Sequence, residues 1–198
     1  MYSPKDYANK KPEWRKARLI SKYMDKSDKI LDFGCGPGEY GPYLKLKCAT
    51  LSGLDIEQSL LDIAKGRGYD RLLCKDIKNR LPFKEKEFDS LWCSEVLEHF
   101  PSLKIVDELE RVTKDCIIIT VPNPLSPHFK GDETHILKYN VSSLKRFFSN
   151  RKDWNYKIRG LGFDDIPVPL IFKRFTTILL WNVPLFSPTI AIIGKRPV

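Results

Sequence analysis

A short apolar strand that leads into a glycine-rich turn is the feature that most constrains how this chain can fold. The strand-like run covers residues 30–33, and glycine follows it at alternate positions, Gly34, Gly36 and Gly38. Glycine has no Cβ atom, so its backbone can pass close to a ligand in conformations that other residues avoid. Such a turn between a buried strand and a helix is typical of sites that bind nucleotide-type cofactors. Asp32, two residues before the first glycine, favours a cofactor with a cationic amino-acid end over a pyrophosphate.

The rest of the chain alternates between apolar segments and polar connectors in a strand–helix rhythm. Strands separated by helix-length segments imply parallel strands joined by crossover helices. The sequence therefore predicts an α/β fold with a Rossmann-like, doubly wound sheet and helices on both of its faces. The predicted strands are 29–33, 49–54, 71–74, 88–93, 116–121, 154–160 and 189–194, and the predicted helices are 13–24, 40–46, 59–65, 103–112 and 141–149.

The composition fits one globular domain, because 42% of the 198 residues are hydrophobic and 30% are charged. The apolar run at 175–186 is too short and too often interrupted by proline to cross a bilayer. Lys173 and Arg174, which lie among large apolar residues, could rest on a membrane surface, although covering the sheet is the commoner role of such a stripe. We expect four parts: an N-terminal helical cap (1–26), a cofactor-binding core (27–162), an apolar lid or substrate insertion (163–188) and a last strand (189–198).

The formal net charge of +9 has two interpretations. A lysine-rich, well-solvated surface is the commoner cause, and an anionic partner such as RNA, phospholipid or a phosphorylated metabolite is the other. The sequence has no RNP-like motif, zinc-finger spacing or arginine-rich tail that would favour RNA. The five cysteines stand singly without a CxxC pair, and the first residues do not read as a secretory leader. We therefore expect reduced thiols and a cytoplasmic location.

Acidic residues follow the second and third predicted strands. Asp55 lies about twenty residues after the glycine turn, where an acid can accept both hydroxyls of a ribose. Asp76 follows the third strand, and with the backbone amide of Ile77 it could recognise the edge of an adenine. Each acid alone is more often a loop residue or a helix cap. Because parallel strands end at one edge of the sheet, the acids together predict a site for one nucleoside.

These motifs, in this order, resemble those of the class I S-adenosylmethionine-dependent methyltransferases. LDFGCGPGEY (31–40) looks like the first motif of that family, and LSGLDIEQSLLDIAK (51–65) looks like the second. CKDIKNRLPFKEKEFDSLWCSEVLEHF (74–100) is similar to the third and fourth motifs together, and LERVTKDCIIITVPNP (109–124) to the fifth strand and its preceding helix. The resemblance extends more loosely to Phe148. It implies a seven-stranded, mostly parallel sheet with an antiparallel last strand, S-adenosyl-L-methionine as methyl donor and S-adenosyl-L-homocysteine as product.

The resemblance also implies which residues bind the cofactor. Asp32 and the backbone of the first two glycines would hold the methionine moiety, Asp55 the ribose, and Asp76 with its neighbour the adenine. The backbone of Cys93 or Ser94 would border the methionine amine. The complete predicted set is Asp32, Gly34, Cys35, Gly36, Gly38, Asp55, Ile56, Asp76, Ile77, Cys93 and Ser94. Two departures from the family pattern are the Gly41–Pro42 pair, expected to loosen the first helix after the turn, and residues 113–116, expected to form a tighter connection before the fifth strand.

The segment EVLEH (95–99) after the fourth predicted strand gives two catalytic hypotheses. Attack by an acceptor hydroxyl needs a general base, and His99 or His135 could serve. A similar ExxEH with a later histidine binds a divalent metal in some RNA 2′-O-methyltransferases and quinone-pathway O-methyltransferases, so Glu95, Glu98, His99 and His135 form an alternative metal set. Because EVLEH also occurs in relatives without metal, we expect these residues to line the pocket and no metal to be bound.

The methyl acceptor is not identified by these motifs. The aromatic, proline-rich lid favours a small, partly hydrophobic or planar molecule such as a quinone precursor, a lipid or a modified sugar-lipid. RNA or another nucleic acid is the alternative that the net charge suggests. A nicotinamide-dependent oxidoreductase is a second alternative, but it accounts neither for Asp32 nor for a GxGxG turn in place of GxGxxG. A non-enzymatic cofactor-binding subunit is a third, although all the motif acids are present.

Overall fold

The fold is built on one seven-stranded sheet, seen in a computed structural model that describes residues 11–77, 80–123, 134–137, 139–161 and 187–197. The strand order across the sheet is β3-β2-β1-β4-β5-β7-β6. β7 is antiparallel to both of its neighbours, whereas the four pairs among β1 to β5 are parallel. The predicted Rossmann-like sheet with an antiparallel last strand is therefore confirmed. The strands are β1 (Ser27–Phe33), β2 (Cys48–Asp55), β3 (Arg71–Cys74), β4 (Phe88–Ser94), β5 (Thr113–Pro122), β6 (Asn155–Leu161) and β7 (Thr189–Lys195).

The helices of the described residues lie close to the predicted positions. The pair Gly41–Pro42 begins a helix at the predicted place, because a proline in the first helical turn loses no intrahelical hydrogen bond. Thr113 is the first residue of β5 and follows the preceding helix directly, which agrees with the expected tight connection. The sequence did not predict the short 3₁₀-helix, whose single turn is too short to show a hydrophobic period. The helices are α1 (Trp14–Tyr23), α2 (Gly41–Lys45), α3 (Gln58–Ala64), the 3₁₀-helix (Leu97–His99), α4 (Ile105–Val112) and α5 (Val141–Ser149).

Apolar side chains alternate between the two faces of the sheet and form a core on each. On one face, called here the α1 face, Ile30 and Trp92 pack with Ile20 of α1 and Leu44 of α2. On the opposite face, which we call the α4 face, the core includes Leu31, Phe33, Leu91, Ile117, Val106, Leu109 and Phe148. Helices therefore cover both faces, as predicted, and the β-branched run of β5 contributes to both cores.

The carboxyl ends of β1, β2 and β4 lie side by side at one edge of the sheet. Asp32 pairs with Gly53 on one side and with Trp92 on the other, and Asp55 pairs with Cys74 of β3. This edge is the place where open α/β sheets bind ligands. The predicted lid at 163–188 lies outside the described residues apart from Ser187 and Pro188, and so do Lys173, Arg174 and most of the N-terminal cap before α1. Within the described part of the chain, no helix is long and apolar enough to cross a membrane.

Candidate functional site

The glycine turn after β1 leaves backbone accessible at the carboxyl edge. Gly34, Gly36 and Gly38 all have positive φ angles, of 70°, 51° and 78°. A Cβ atom on Gly34 would lie 2.3 Å from Val96 Cγ2, so Val96, two residues beyond the end of β4, packs directly against the turn. A Cβ atom on Gly36 would meet no protein atom within 4 Å, so this glycine faces open space. The turn therefore leaves room beside its backbone for a ligand to approach closely.

Asp55 joins the end of β2 to the glycine turn. Its Oδ2 atom accepts a hydrogen bond of 2.7 Å from the Gly36 amide, and Oδ1 accepts one of 3.0 Å from the Glu57 amide. The predicted partners are thus brought together. A carboxylate oxygen can accept more than one hydrogen bond, so ribose hydroxyls can still be bound. The next residue, Ile56, is 63% exposed, and an exposed apolar side chain beside a ribose site can cover one face of a base.

Asp76 and Ile77 lie just beyond β3, on the far side of Asp55. The Lys75 amide donates to the Asp55 carbonyl at 2.9 Å, which fixes the chain leaving β3 against the end of β2. The Asp76 side chain is exposed, whereas the Ile77 side chain is buried in the core of the α4 face. Of this pair, the carboxylate of Asp76 and the backbone amide of Ile77 are therefore the groups suited to contact an adenine.

The Asp32 carboxyl lies beneath the turn, almost completely enclosed on the α1 face. It is 2% exposed, and the Tyr69 hydroxyl donates a hydrogen bond of 2.6 Å to its Oδ2 atom. Burial raises the pKa of Asp32 to about 7, with help from the nearby carboxylates of Glu39 and Asp55, while the hydrogen bond from Tyr69 opposes the shift. Asp32 is thus poised to change charge near neutral pH.

Tyr69 is a further candidate site residue, which the sequence patterns did not indicate. Its ring fills the space that Cβ atoms on Gly38, Gly41 and Gly53 would occupy, at 2.8, 2.6 and 2.9 Å respectively. Those glycines therefore make room for a tyrosine that supports the turn and holds Asp32. The sequence contained an indication of this packing, because Gly53 lies inside the predicted strand 49–54, and a glycine within a strand often marks the close approach of another group.

Two predicted cysteines and a serine complete this part of the site. Cys35 in the turn and Cys93 in β4 are buried, and burial raises the pKa of each thiol. The carboxylates of Glu98, Asp32 and Glu95 add to the shift of Cys93. Cys93 and Cys35 therefore contribute backbone and packing rather than a reactive thiolate. Ser94, half-buried at the end of β4, has its Oγ atom 2.9 Å from Thr120 Oγ1.

Glu98, His99 and His135 form a cluster next to this edge. Glu98 is completely buried, and the Nε2 atom of His135 lies 3.9 Å from its Oε1 atom. The two imidazole rings are 5.1 Å apart. The amides of Ile136 and Leu137 donate to the Glu98 carbonyl at 2.9 and 3.0 Å, so the segment carrying His135 is tied to the 3₁₀-helix. The structure thus brings together residues that are more than thirty positions apart in the sequence.

Three members of the alternative metal set meet, and the fourth lies elsewhere. One ligand atom from each of Glu98, His99 and His135 lies within 4.8 Å of the others, a spacing that could hold a metal ion. Glu95 instead pairs with the ammonium of Lys16, at 3.1 Å, and accepts from Thr120 Oγ1 at 3.1 Å. The described residues therefore offer a carboxylate and two imidazoles rather than the four-residue set.

Comparison with known proteins agrees with this geometry. A family model described as a methyltransferase domain matches residues 31–116. An uncharacterized protein of Methanocaldococcus jannaschii is 37% identical over 108 residues, which are 53% of this chain and 46% of that protein. A ubiquinone biosynthesis O-methyltransferase of Coxiella burnetii is 32% identical over 102 residues, 49% of this chain and 41% of the enzyme. The matched regions thus span less than half the length of each of these two relatives.

A solved structure is similar over nearly the whole chain. It is a SAM-dependent methyltransferase from Archaeoglobus fulgidus, which is 26% identical and superposes with a TM-score of 0.66. The alignment covers 91% of this chain and 92% of that one. The strand order, the glycine turn and the acid at the end of β2 agree with these matches. These matches agree with the class I S-adenosylmethionine-dependent methyltransferases that the sequence motifs resemble.

Proposed function

We propose that this protein transfers the methyl group of S-adenosylmethionine to a small, partly hydrophobic acceptor. The observation that carries the proposal is the open space beside Gly36, whose amide donates a hydrogen bond to Asp55 where β1 and β2 end side by side. Asp55 would bind the ribose, Ile56 and Asp76 the adenine, and the backbone near Ser94 the methionine amine. The acceptor's nucleophilic atom bonds to the methyl carbon while the bond from carbon to sulfur breaks. The sulfonium leaves as the neutral thioether of S-adenosylhomocysteine.

The charge distribution supports a cationic cofactor at this edge. The chain as a whole carries a formal charge of +9, but the carboxyl edge gathers Asp32, Asp55, Asp76 and Glu95. S-adenosylmethionine brings a sulfonium and an ammonium to be neutralised, whereas a nucleic-acid backbone brings phosphates that these acids would repel. We therefore favour a small-molecule acceptor over RNA. The O-methyltransferase relative is consistent with a hydroxyl acceptor.

A hydroxyl acceptor needs a group to take its proton, and we place that role in the His99–His135 pair. Buried Glu98 beside His135 can stabilise the imidazolium that forms. His99 and His135 are each replaced by alanine in turn. The replacement of the histidine that acts as the base should lower turnover about 10²- to 10⁴-fold, with the affinity for S-adenosylhomocysteine unchanged. The close spacing of the three ligand atoms favours a second candidate, in which a divalent ion polarises the acceptor. Unchanged turnover in EDTA, and again with added Mg²⁺ or Mn²⁺, would eliminate that candidate.

The cofactor assignment is tested by calorimetry with S-adenosylhomocysteine. The wild type should bind it, and the Asp55→Asn variant should bind it about 10- to 100-fold more weakly, because a hydrogen bond to a charged group contributes about 1.5–3 kcal/mol. Asp62→Asn, on the exposed surface of α3, is the matched control and should bind normally. Binding of NAD(H) without binding of S-adenosylhomocysteine would overturn the proposal.

The acceptor is tested with a labelled methyl donor. Transfer to a panel of phenolic and catecholic quinone precursors, with none to short RNA hairpins, is the expected outcome. The reverse pattern would show a nucleic-acid methyltransferase.

All five cysteines are free thiols, which supports our further proposal that the enzyme works in a reducing compartment such as the cytoplasm.

A further inference from the structure

An open groove of about 340 Å³ lies on the surface between α1 and α2. Five large hydrophobic side chains are exposed in the described part of the chain, and three of them line this groove. They are Trp14 at 53% exposure, Tyr43 at 41% and Leu46 at 77%. Single exposed apolar side chains are common on proteins, whereas a group of them around one groove marks an interaction surface.

The charged side chains that line the groove are cations. They are Arg18 of α1, which is exposed, and Lys47, which follows α2. The Lys47 ammonium donates to the Ser21 carbonyl at 3.0 Å, and an ammonium has further donors for another acceptor. Lys22, one turn beyond Arg18, is also exposed. Of the described residues that line the groove, none is acidic. The surface therefore combines exposed apolar side chains with positive charge.

This combination favours an anionic lipid bilayer over other partners. In a two-fold dimer through the groove, Arg18 and Lys47 of one copy would face the same cations of the other, and like charges repel. RNA could pair with the cations and stack on the aromatic rings, but it has no use for Leu46, the most exposed of the three apolar side chains. Tryptophan and tyrosine favour the boundary between lipid headgroups and acyl chains, and leucine favours the acyl side.

The groove adjoins the edge where the cofactor is proposed to bind. α2 begins directly after the glycine turn, where the Gly41 amide donates to the Gly38 carbonyl at 3.1 Å. On the other wall of the groove, α1 is tied to the end of β4 by Lys16, whose ammonium lies 3.1 Å from Glu95 Oε1. A flat surface that covers the groove would therefore lie close to the glycine turn.

We propose that the groove between α1 and α2 binds the surface of an anionic phospholipid bilayer. Arg18 and Lys47 contact lipid phosphates, while the three apolar side chains enter the boundary between headgroups and acyl chains. The contact places the carboxyl edge of the sheet near the membrane, from which a partly hydrophobic acceptor can enter the site. That role in delivering the acceptor rests on the proposed function, whereas the binding to lipid does not.

Co-sedimentation with vesicles tests the proposal. The wild type should bind vesicles of equal parts phosphatidylglycerol and phosphatidylcholine, and should bind phosphatidylcholine vesicles much more weakly. Arg18→Gln and Lys47→Gln should each lower the affinity for the mixed vesicles about fivefold, and Leu46→Ser should lower it about tenfold. Lys145→Gln is the matched control, because this exposed lysine belongs to α5 on the opposite face of the sheet. It should bind the vesicles as the wild type does.

Fluorescence shows whether the groove itself meets the lipid. Trp92 and Trp154 are buried, whereas Trp14 is exposed, so mixed vesicles should shift the emission of Trp14 to shorter wavelength. Trp14→Phe should lose the shift and still sediment with the vesicles. A shift that persists in Trp14→Phe overturns the proposal, because another surface then meets the lipid.

The remaining outcomes separate this inference from the proposed function. Equal binding to both kinds of vesicle, or unchanged binding in the Arg18, Lys47 and Leu46 variants, overturns the lipid site. Binding of short RNA hairpins through Arg18 and Lys47, with no binding of vesicles, overturns it in favour of a nucleic-acid surface. Methyl transfer by a protein that binds no vesicles leaves the proposed function intact and refutes the lipid site. Vesicle binding by a protein that does not bind S-adenosylhomocysteine supports the lipid site and refutes the proposed function.

Discussion

Replacing Asp32 by asparagine should stabilise the folded protein above neutral pH. The side chain is 2% exposed, and burial raises its pKa to about 7, whereas an aspartate in an unfolded chain has a pKa of about 3.9. Glu39 and Asp55 add to the upward shift, and the hydrogen bond from the Tyr69 hydroxyl reduces it. The ionised carboxylate is therefore held in the folded protein at a cost in free energy.

The sign and size of the effect follow from proton linkage. Between about pH 4 and about pH 7 the folded state binds a proton at Asp32 that the unfolded state has lost, so the free energy of unfolding falls as the pH rises. The pKa of Asp32 is about three higher in the folded protein than in the unfolded chain. At about 1.4 kcal/mol for each pH unit, this difference corresponds to about 4 kcal/mol of unfolding free energy. Asparagine has a similar shape and does not ionise. The stability of Asp32→Asn relative to the wild type should therefore increase by about 4 kcal/mol from pH 4 to pH 8 and level off above that.

Urea denaturation of both proteins across this pH range measures the difference. Asp62→Asn is a useful control because its pH dependence has the opposite sign. Hydrogen bonds from Lys65 and Gln58 lower the pKa of Asp62, so the wild type gains stability as the pH rises and the variant loses that gain. A difference between Asp32→Asn and the wild type that does not change with pH would refute the reasoning, whatever its size.

The same substitution should harm ligand binding while it improves stability. Asp32→Asn should bind S-adenosylhomocysteine and its decarboxylated form more weakly, because both carry the amine that the Asp32 charge attracts. It should bind 5′-methylthioadenosine, which lacks the amino-acid portion and its ammonium, as well as the wild type does. A costly buried charge is expected at a binding site and is hard to explain elsewhere in a core.

Two further substitutions test the supports of the glycine turn. Gly34→Ala should destabilise the protein by about 2–4 kcal/mol, because the new Cβ would lie 2.3 Å from Val96 at a φ of 70°. Gly66→Ala has the same type of backbone strain in open space and should cost about 1–2 kcal/mol in the same urea titration; equal losses would show that the contact with Val96 is unimportant. Tyr69→Phe keeps the ring under the turn and removes the hydroxyl that lowers the pKa of Asp32. The pH at which affinity for S-adenosylhomocysteine falls to half should therefore move upward, and an unchanged midpoint would mean that the hydroxyl does not hold the charge of Asp32.

The sheet could be predicted because its strands carry strong local patterns. β5 contains consecutive isoleucines that are buried on both faces, and the run that ends in Phe33 leads straight into glycine. The ends of elements were less predictable: β5 begins at Thr113, three residues earlier than the apolar run indicates. Its first residues pair with β4 through backbone groups, which any sequence can provide.

The candidate site could be predicted only where function restricts a residue type locally. Glycines with positive φ and acids at strand ends are visible in the sequence because they follow strands at short range. Lys16 and Tyr69 act across long separations, on Glu95 and Asp32 respectively. The burial of Lys16 could have been predicted, because it lies at helical spacing from Ile20 and Met24. A lysine on the apolar face of a helix is expected to be buried and to need a charged partner. Tyr69 lies in a loop, where no periodicity marks a side chain as buried.

The net charge of the chain is positive, whereas the charged side chains at the carboxyl edge of the sheet are mostly negative. This contrast restricts which ligands can bind at that edge. Exposed lysines spread over the surface set the total of +9, but salt screens exposed charges that lie more than about 10 Å away. The charged groups that the structure places at or near the carboxyl edge are several carboxylates and the buried Lys16 ammonium. Such a set matches a molecule with two positive groups and one negative group, which is the charge pattern of S-adenosylmethionine. The local arrangement therefore carries more information about function than the total charge does.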